Sequence, residues 1–134
     1  MLIRLAPLFD FTVAVAGLSA GVESNVDVKR RYSTLEDIPP ESEHRYTVVA
    51  TQGTGDINAL ESALTLNSKY LTFVGSQKKL AYLRTRLEES GHSTEAINRI
   101  TGPAGLDIGG VTPQEIALSI LAEIIGIRRG KSHA

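Results

Sequence analysis

The sequence predicts an α/β fold built on a mostly parallel sheet, and three observations carry that expectation. Short apolar runs rich in β-branched and aromatic residues occur at 11–16 (FTVAVA), 46–51 (YTVVAT) and 70–74 (YLTFV). The second and third each lead through glycine into a helical pattern. Runs of this kind suit strands covered on both faces, and repeated strand–turn–helix units predict parallel pairing through right-handed crossovers.

Taken in order, YTVVAT is followed by Gln52-Gly53-Thr54-Gly55-Asp56 and then INALESALTL, where Leu60, Ala63 and Leu64 share one helical face. Asp56 is the expected N-cap, because a short acidic side chain can accept from first-turn amides. After YLTFV come Gly75-Ser76 and QKKLAYLRTRLEES, with Leu80, Leu83 and Leu87 at spacings of three and four and Gly91 as the stop. Ser93 is expected to cap a short helix over 94–99, ahead of a glycine-rich loop over 101–110. Thr112-Pro113-Gln114-Glu115 then combines a capping hydroxyl, a proline suited to the first helical position and a carboxylate at capping-box spacing. The helix it opens, EIALSILAEIIGI, is apolar nearly all round and should be largely covered, with Arg128, Arg129 and Lys131 complementing its dipole. Residues 24–43, with KRRY and a Pro-Pro pair, lack a period and read as a surface excursion with one short strand near Val26–Val28.

Composition bounds the function classes. A chain of 134 residues sets a single domain over 1–134 as the expectation. Its net charge of −1 supplies no general field toward nucleic acid or membrane, so neither is an expected partner. There is no cysteine, which excludes disulfides, thiolate–metal sites and cysteine nucleophiles in these residues. Asp10 interrupts the apolar start, MLIRLAPLFDFTVAVAG, which reads as neither a membrane span nor a signal peptide. A soluble cytoplasmic protein is expected. His44, His92 and His133 stand apart in sequence without metal-ligand spacing and are expected on the surface. No catalytic residue and no metal ligand is assigned.

In open parallel sheets ligands sit at the carboxyl ends of strands, against helix N-termini. Three glycine segments suit that position. Gly75 and Ser76, followed by Lys78 and Lys79, either make a tight capped turn or admit an anionic group with ammonium ions beside it. Gly53, Thr54 and Asp56 offer the same two readings. Asp107, between Gly105 and Gly109, either bonds its own loop or faces a ligand.

The stretches VVATQGTGDINALESAL, TFVGSQKKLAYLRTRLEESG and GPAGLDIGGVTPQEIALSILAEIIGIRRG together resemble the Rossmann-type C-terminal domain of the XdhC/CoxI family, from about Tyr46 to Gly130 and more loosely back to Leu2. The resemblance implies a Rossmann-like three-layer fold and a non-catalytic accessory role. Members help mature molybdenum hydroxylases such as xanthine and carbon monoxide dehydrogenases, which implies a molybdenum hydroxylase apoenzyme as partner. They bind molybdenum cofactor (molybdopterin or its cytidine dinucleotide), implied here at Gly53, Thr54, Asp56, Gly75, Ser76, Lys78, Lys79, Gly105, Asp107 and Gly109. The family's usual first strand and glycine-rich turn have no counterpart, and the second strand ends at Gly17 where a ribose-binding acid would stand, so NAD is not the expected cofactor. The open sheet edge so implied predicts a homo-oligomer. A nucleotide-dependent oxidoreductase and a module that binds no ligand are the alternatives.

Overall fold

A computed structural model of the chain describes residues 2–9, 11–16, 30–32, 38, 45–51, 55–66 and 68–130. The chain divides into two compact units, Met1–Pro39 with Gly105–Ala134, and Pro40–Ala104.

The Pro40–Ala104 unit is the strand–helix alternation expected. Its elements are β3 (Tyr46–Val49), α2 (Asp56–Leu64), β4 (Tyr70–Phe73), α3 (Gln77–Glu89), α4 (Thr94–Asn98) and β5 (Ile100–Thr101). The strands lie in the order β3-β4-β5 and pair in parallel, with Tyr46 opposite Tyr70, Val49 opposite Phe73 and Leu71 opposite Ile100. All four residues of β4 are buried, as a central strand covered on both faces requires. Thr72, fully buried, donates its hydroxyl to the Thr101 carbonyl, and the Thr101 hydroxyl donates to the Leu71 carbonyl. These two bonds lace the short β5 to β4 and leave the buried hydroxyl satisfied.

Periodicity placed the helices. Leu80, Leu83 and Leu87 of α3 and Leu60 and Ala63 of α2 are buried, and Leu64 is half-buried. Burying one such leucine contributes about 1.5–3 kcal/mol before the entropy of ordering it is counted. Helix α3 ends as Gly91 anticipates. With Ser90 as C-cap, the Gly91 amide donates to Glu88 and the His92 amide to Leu87, the paired bonds of a Schellman turn. Gly91 takes φ 95°, the left-handed region where a side chain is strained. Ser93 caps α4 by accepting from the Ala96 amide.

The other unit holds α1 (Leu2–Leu5), a 3₁₀ turn (Ala6–Phe9), β1 (Ala14–Ala16), β2 (Arg30–Tyr32) and α5 (Pro113–Arg128). Strands β1 and β2 pair in parallel, Ala14 opposite Arg30 and Ala16 opposite Tyr32. Helix α1 packs on α5. At the end of α5 the Arg128 guanidinium donates to the Phe9 carbonyl at 3.0 Å and lies over the Phe11 ring, 4.2 Å from its centre. Arg128 thereby ties the start of the chain to α5 as well as complementing the dipole.

Three expectations are corrected here. The strand expected over 11–16 is confined to Ala14–Ala16, and Thr12 and Ala14 are exposed rather than covered on both faces. Arg30–Tyr32, part of the expected surface excursion, forms β2: ladder bonds are made by backbone, and a polar triplet carries no periodic signal of that pairing. The glycine-rich loop begins after β5, because Ile100 and Thr101 are paired. Helix α5 is largely covered, as its apolar composition requires: from Ala117 to Arg128 every residue but Leu118 (52% exposed) is buried or half-buried, and Ile116 in the first turn is 38% exposed. The strand expected near Val26–Val28, His44, His133 and Lys131 lie outside the described residues. No helix among the described residues is long and apolar enough to cross a membrane.

Two glycine-to-alanine changes should move stability in opposite directions. Gly91→Ala should cost about 1–2 kcal/mol because of its left-handed backbone. Gly126→Ala, inside α5 with nothing within 4 Å of an added Cβ, should add about 0.5–1 kcal/mol. Urea unfolding of the two variants checks both signs.

Candidate functional site

The carboxyl ends of β3 and β4 lead into the first turns of α2 and α3, which brings Asp56, Gly75, Ser76, Lys78 and Lys79 to one end of the parallel sheet. Asp56 is not the N-cap. Gly55 holds that position at φ 73° with no side-chain cap, and Asp56 is the first helical residue, where a negative charge is favoured by the helix dipole. Its carboxylate is nine-tenths buried, accepts a hydrogen bond from the Thr51 hydroxyl, and forms an ion pair with Lys79 Nζ at 2.9 Å. A buried carboxylate needs such partners, and the pair ties the first turn of α2 to that of α3.

Lys79 therefore carries two tasks. Its ammonium balances Asp56, and its amide donates to the capping Ser76 hydroxyl at 3.1 Å. Lys78, exposed, has no such engagement among the described residues. The amides of Gln77 and Lys78 precede the first bond inside the helix, Leu80 to Ser76, and so face outward as donors. Gly75 meets a packing constraint: a Cβ there would run into the Phe73 ring. Gly53 and Thr54 lie outside the described residues.

Gly105, Asp107 and Gly109 belong to the other unit, where the loop folds back on the first turns of α5. The Gly105 amide donates to Glu123 Oε1 at 3.2 Å and the Leu106 amide to the Ser119 carbonyl at 3.1 Å. At the far end the Val111 and Thr112 amides both donate to Glu115 Oε1, at 2.9 and 3.0 Å, while Thr112 Oγ accepts from the Glu115 amide. The capping box is complete. Gly105 takes φ 94° and leaves no room for a Cβ beside Ser119; Gly109 takes φ 71° in open space; Asp107 is exposed. Ser119 and Glu123, both buried, were not anticipated as holders of this loop, although they stand out as polar residues in an otherwise apolar helix.

His92, expected as a solvated histidine, instead pairs through Nε2 with Glu61 Oε2 at 2.8 Å, joining the end of α3 to α2. A shallow cleft of about 170 Å³ lies at the opposite, amino-terminal end of β4, bordered by Lys69, Tyr70, Arg99 and Thr101. Arg99 there donates to the Leu64 and Leu66 carbonyls and so closes the end of α2. Among the described residues no three histidine or carboxylate side chains gather as metal ligands.

Parallel strands whose carboxyl ends feed helix N-termini define a Rossmann-type α/β domain. Residues 1–124 match the XdhC Rossmann domain, and the chain belongs to that family. It is also 35% identical over 92 residues to "Uncharacterized protein YqeB" of Escherichia coli (strain K12). That stretch is 69% of this chain and 16% of the length of YqeB.

Two outcomes follow from these contacts. Lys79→Met, which strips the cation from a nine-tenths buried carboxylate, should lose about 1–3 kcal/mol of stability, whereas Lys78→Met should stay within about 0.5 kcal/mol. Chemical denaturation of the two variants distinguishes them. The Thr112 and Val111 amides, then the Thr112 hydroxyl, hold the Glu115 carboxyl below its ordinary value of 4.5. Its folded-state value lies below the unfolded one, so its contribution is complete above about 4.5 and is lost as pH falls through the lowered value. Glu115→Gln should flatten the acid limb of a stability-against-pH curve.

Proposed function

We propose that this chain is the Rossmann domain of an accessory factor for molybdenum hydroxylases of the xanthine or carbon monoxide dehydrogenase type. It would bind molybdenum cofactor, or a nucleotide part of it, at the carboxyl ends of β3 and β4. The observation that carries the reading is the family match across residues 1–124. The residues at this end of the sheet suit such a ligand. The free amides of Gln77 and Lys78, with the Lys78 ammonium, fit one anionic group, while the balanced Asp56–Lys79 pair adds no net charge beside it. Lys79 acts by holding Asp56 in place rather than as a free countercharge. The pterin ring or sugar of the ligand would present hydrogen-bond donors to Asp56, which keeps acceptor capacity beyond Thr51 and Lys79. The target apoenzyme would be met in the cytoplasm, and the domain serves delivery rather than turnover.

Calorimetric titration with molybdopterin-type cofactor, with NAD and a cytidine nucleotide alongside, tests this reading. Saturable binding of the cofactor is expected, weakened a few-fold by Lys78→Ala, in line with about 0.3–1 kcal/mol for a charge at a helix end. NAD is expected to give no saturable heat. An unchanged titration in Asp107→Ala would leave the Gly105–Gly109 loop outside the site. No binding of cofactor or nucleotide would overturn the reading.

A further inference from the structure

Helix α5 carries a second stripe, on the side away from its buried residues. Glu115, Leu118, Ala122, Ile125 and Arg129 follow one another at spacings of three, four, three and four, the repeat that keeps side chains on one seam of a helix. Leu118 is 52% exposed, Glu115 and Arg129 are exposed, and Ala122 and Ile125 are half-buried. The ends of the stripe, about 21 Å apart at 1.5 Å per residue, have opposite charge. At the start, both bonds to Glu115 fall on Oε1, so Oε2 keeps its acceptor capacity. At the end, Arg129 is the C-cap residue and has no ion-pair partner among the described residues.

This order is complementary to itself when reversed. Laid antiparallel on a second copy, Glu115 comes opposite Arg129 of the partner subunit, and Leu118 comes one residue, about 1.5 Å along the axis, from the position opposite Ile125 of the partner subunit. Ala122, at the middle, meets its own counterpart on the two-fold axis. A parallel arrangement would set like charges together. A small residue at the crossing point lets two helix axes approach to about 8 Å, and a self-complementary patch is what a two-fold interface requires. We propose that this stripe is a self-association surface through which two copies of the chain pack α5 against α5, antiparallel, about Ala122. Two end pairs at the rim of the contact set the orientation and make it sensitive to salt. One helix pair is small beside a standard interface of about 1,600 Å², so the association is expected at about 10–100 μM chain.

The absence of cysteine from these residues makes the test direct. Sedimentation equilibrium of the unmodified chain should show a monomer–dimer equilibrium in that range, weakened several-fold by Arg129→Glu. Ala122→Cys under mild oxidation should form a disulfide-linked dimer at least tenfold faster than Glu89→Cys, a control at an exposed position of α3. Adding Leu118→Glu to Ala122→Cys should bring the rate down to that of the control, with unchanged circular dichroism reporting an intact fold. A chain that stays monomeric throughout the range would overturn the proposal. So would an Ala122→Cys variant that cross-links no faster than the control, even if a dimer is present, because the interface would then lie elsewhere.

Discussion

Burial of β4 on both faces is the constraint on which the Pro40–Ala104 unit depends. Tyr70, Leu71, Thr72 and Phe73 are all buried, and β4 alone pairs with both β3 and β5. A strand so placed has no solvent-facing side on which to tolerate a shift. A slip of one residue would send Phe73 and Leu71 to the opposite face and separate Thr72 from the Thr101 carbonyl. Because the register is fixed, the points where β3 and β4 end are fixed as well, and with them the starts of α2 and α3. The amides of Gln77 and Lys78 and the buried Asp56 follow from that placement rather than from any local property of the turns.

Electrostatics then determine what the end of the sheet can accept. Two helix N-termini lie side by side there, and a buried aspartate without a partner would be costly. Lys79 removes that cost by bonding Asp56 from the neighbouring helix while its amide completes the cap of α3. The result is a neutral pair beside a short stretch of uncommitted donors. The Gly105–Gly109 loop is held on α5 by backbone and carboxylate bonds at both ends, with Gly105 pressed against Ser119. Gly105 and Gly109 both take left-handed backbone there, and Leu106, Asp107, Ile108 and Gly109 are exposed.

Much of this was legible in the sequence, and the exceptions have common causes. The leucines of α3, the stop at Gly91, the cap at Ser93 and the capping box at Thr112–Glu115 are local features, written in spacing and residue type within a few positions. Strand β2 was not legible, since Arg30, Arg31 and Tyr32 offer no alternation and are recruited by pairing with β1. Two-residue β5 was too short for any pattern to register. The partners of Asp56, His92 and Glu123 lie 23, 31 and 18 residues away along the chain, distances over which no local rule operates. Asp56 was placed one position out, because glycine and aspartate both serve as caps and Gly55 took that role.

The central claim is that ligand binding falls at the carboxyl ends of β3 and β4 within the Pro40–Ala104 unit. Backbone amide chemical shifts, followed by nuclear magnetic resonance during titration with molybdopterin-type cofactor, test it most directly. Saturable shifts centred on Ile57, Gln77 and Lys78, with Ser68 and Lys69 at the opposite end of β4 unmoved, are the predicted result. Shifts confined to Ser68–Leu71 or to Leu106–Gly109, with Gln77 and Lys78 silent, would contradict it.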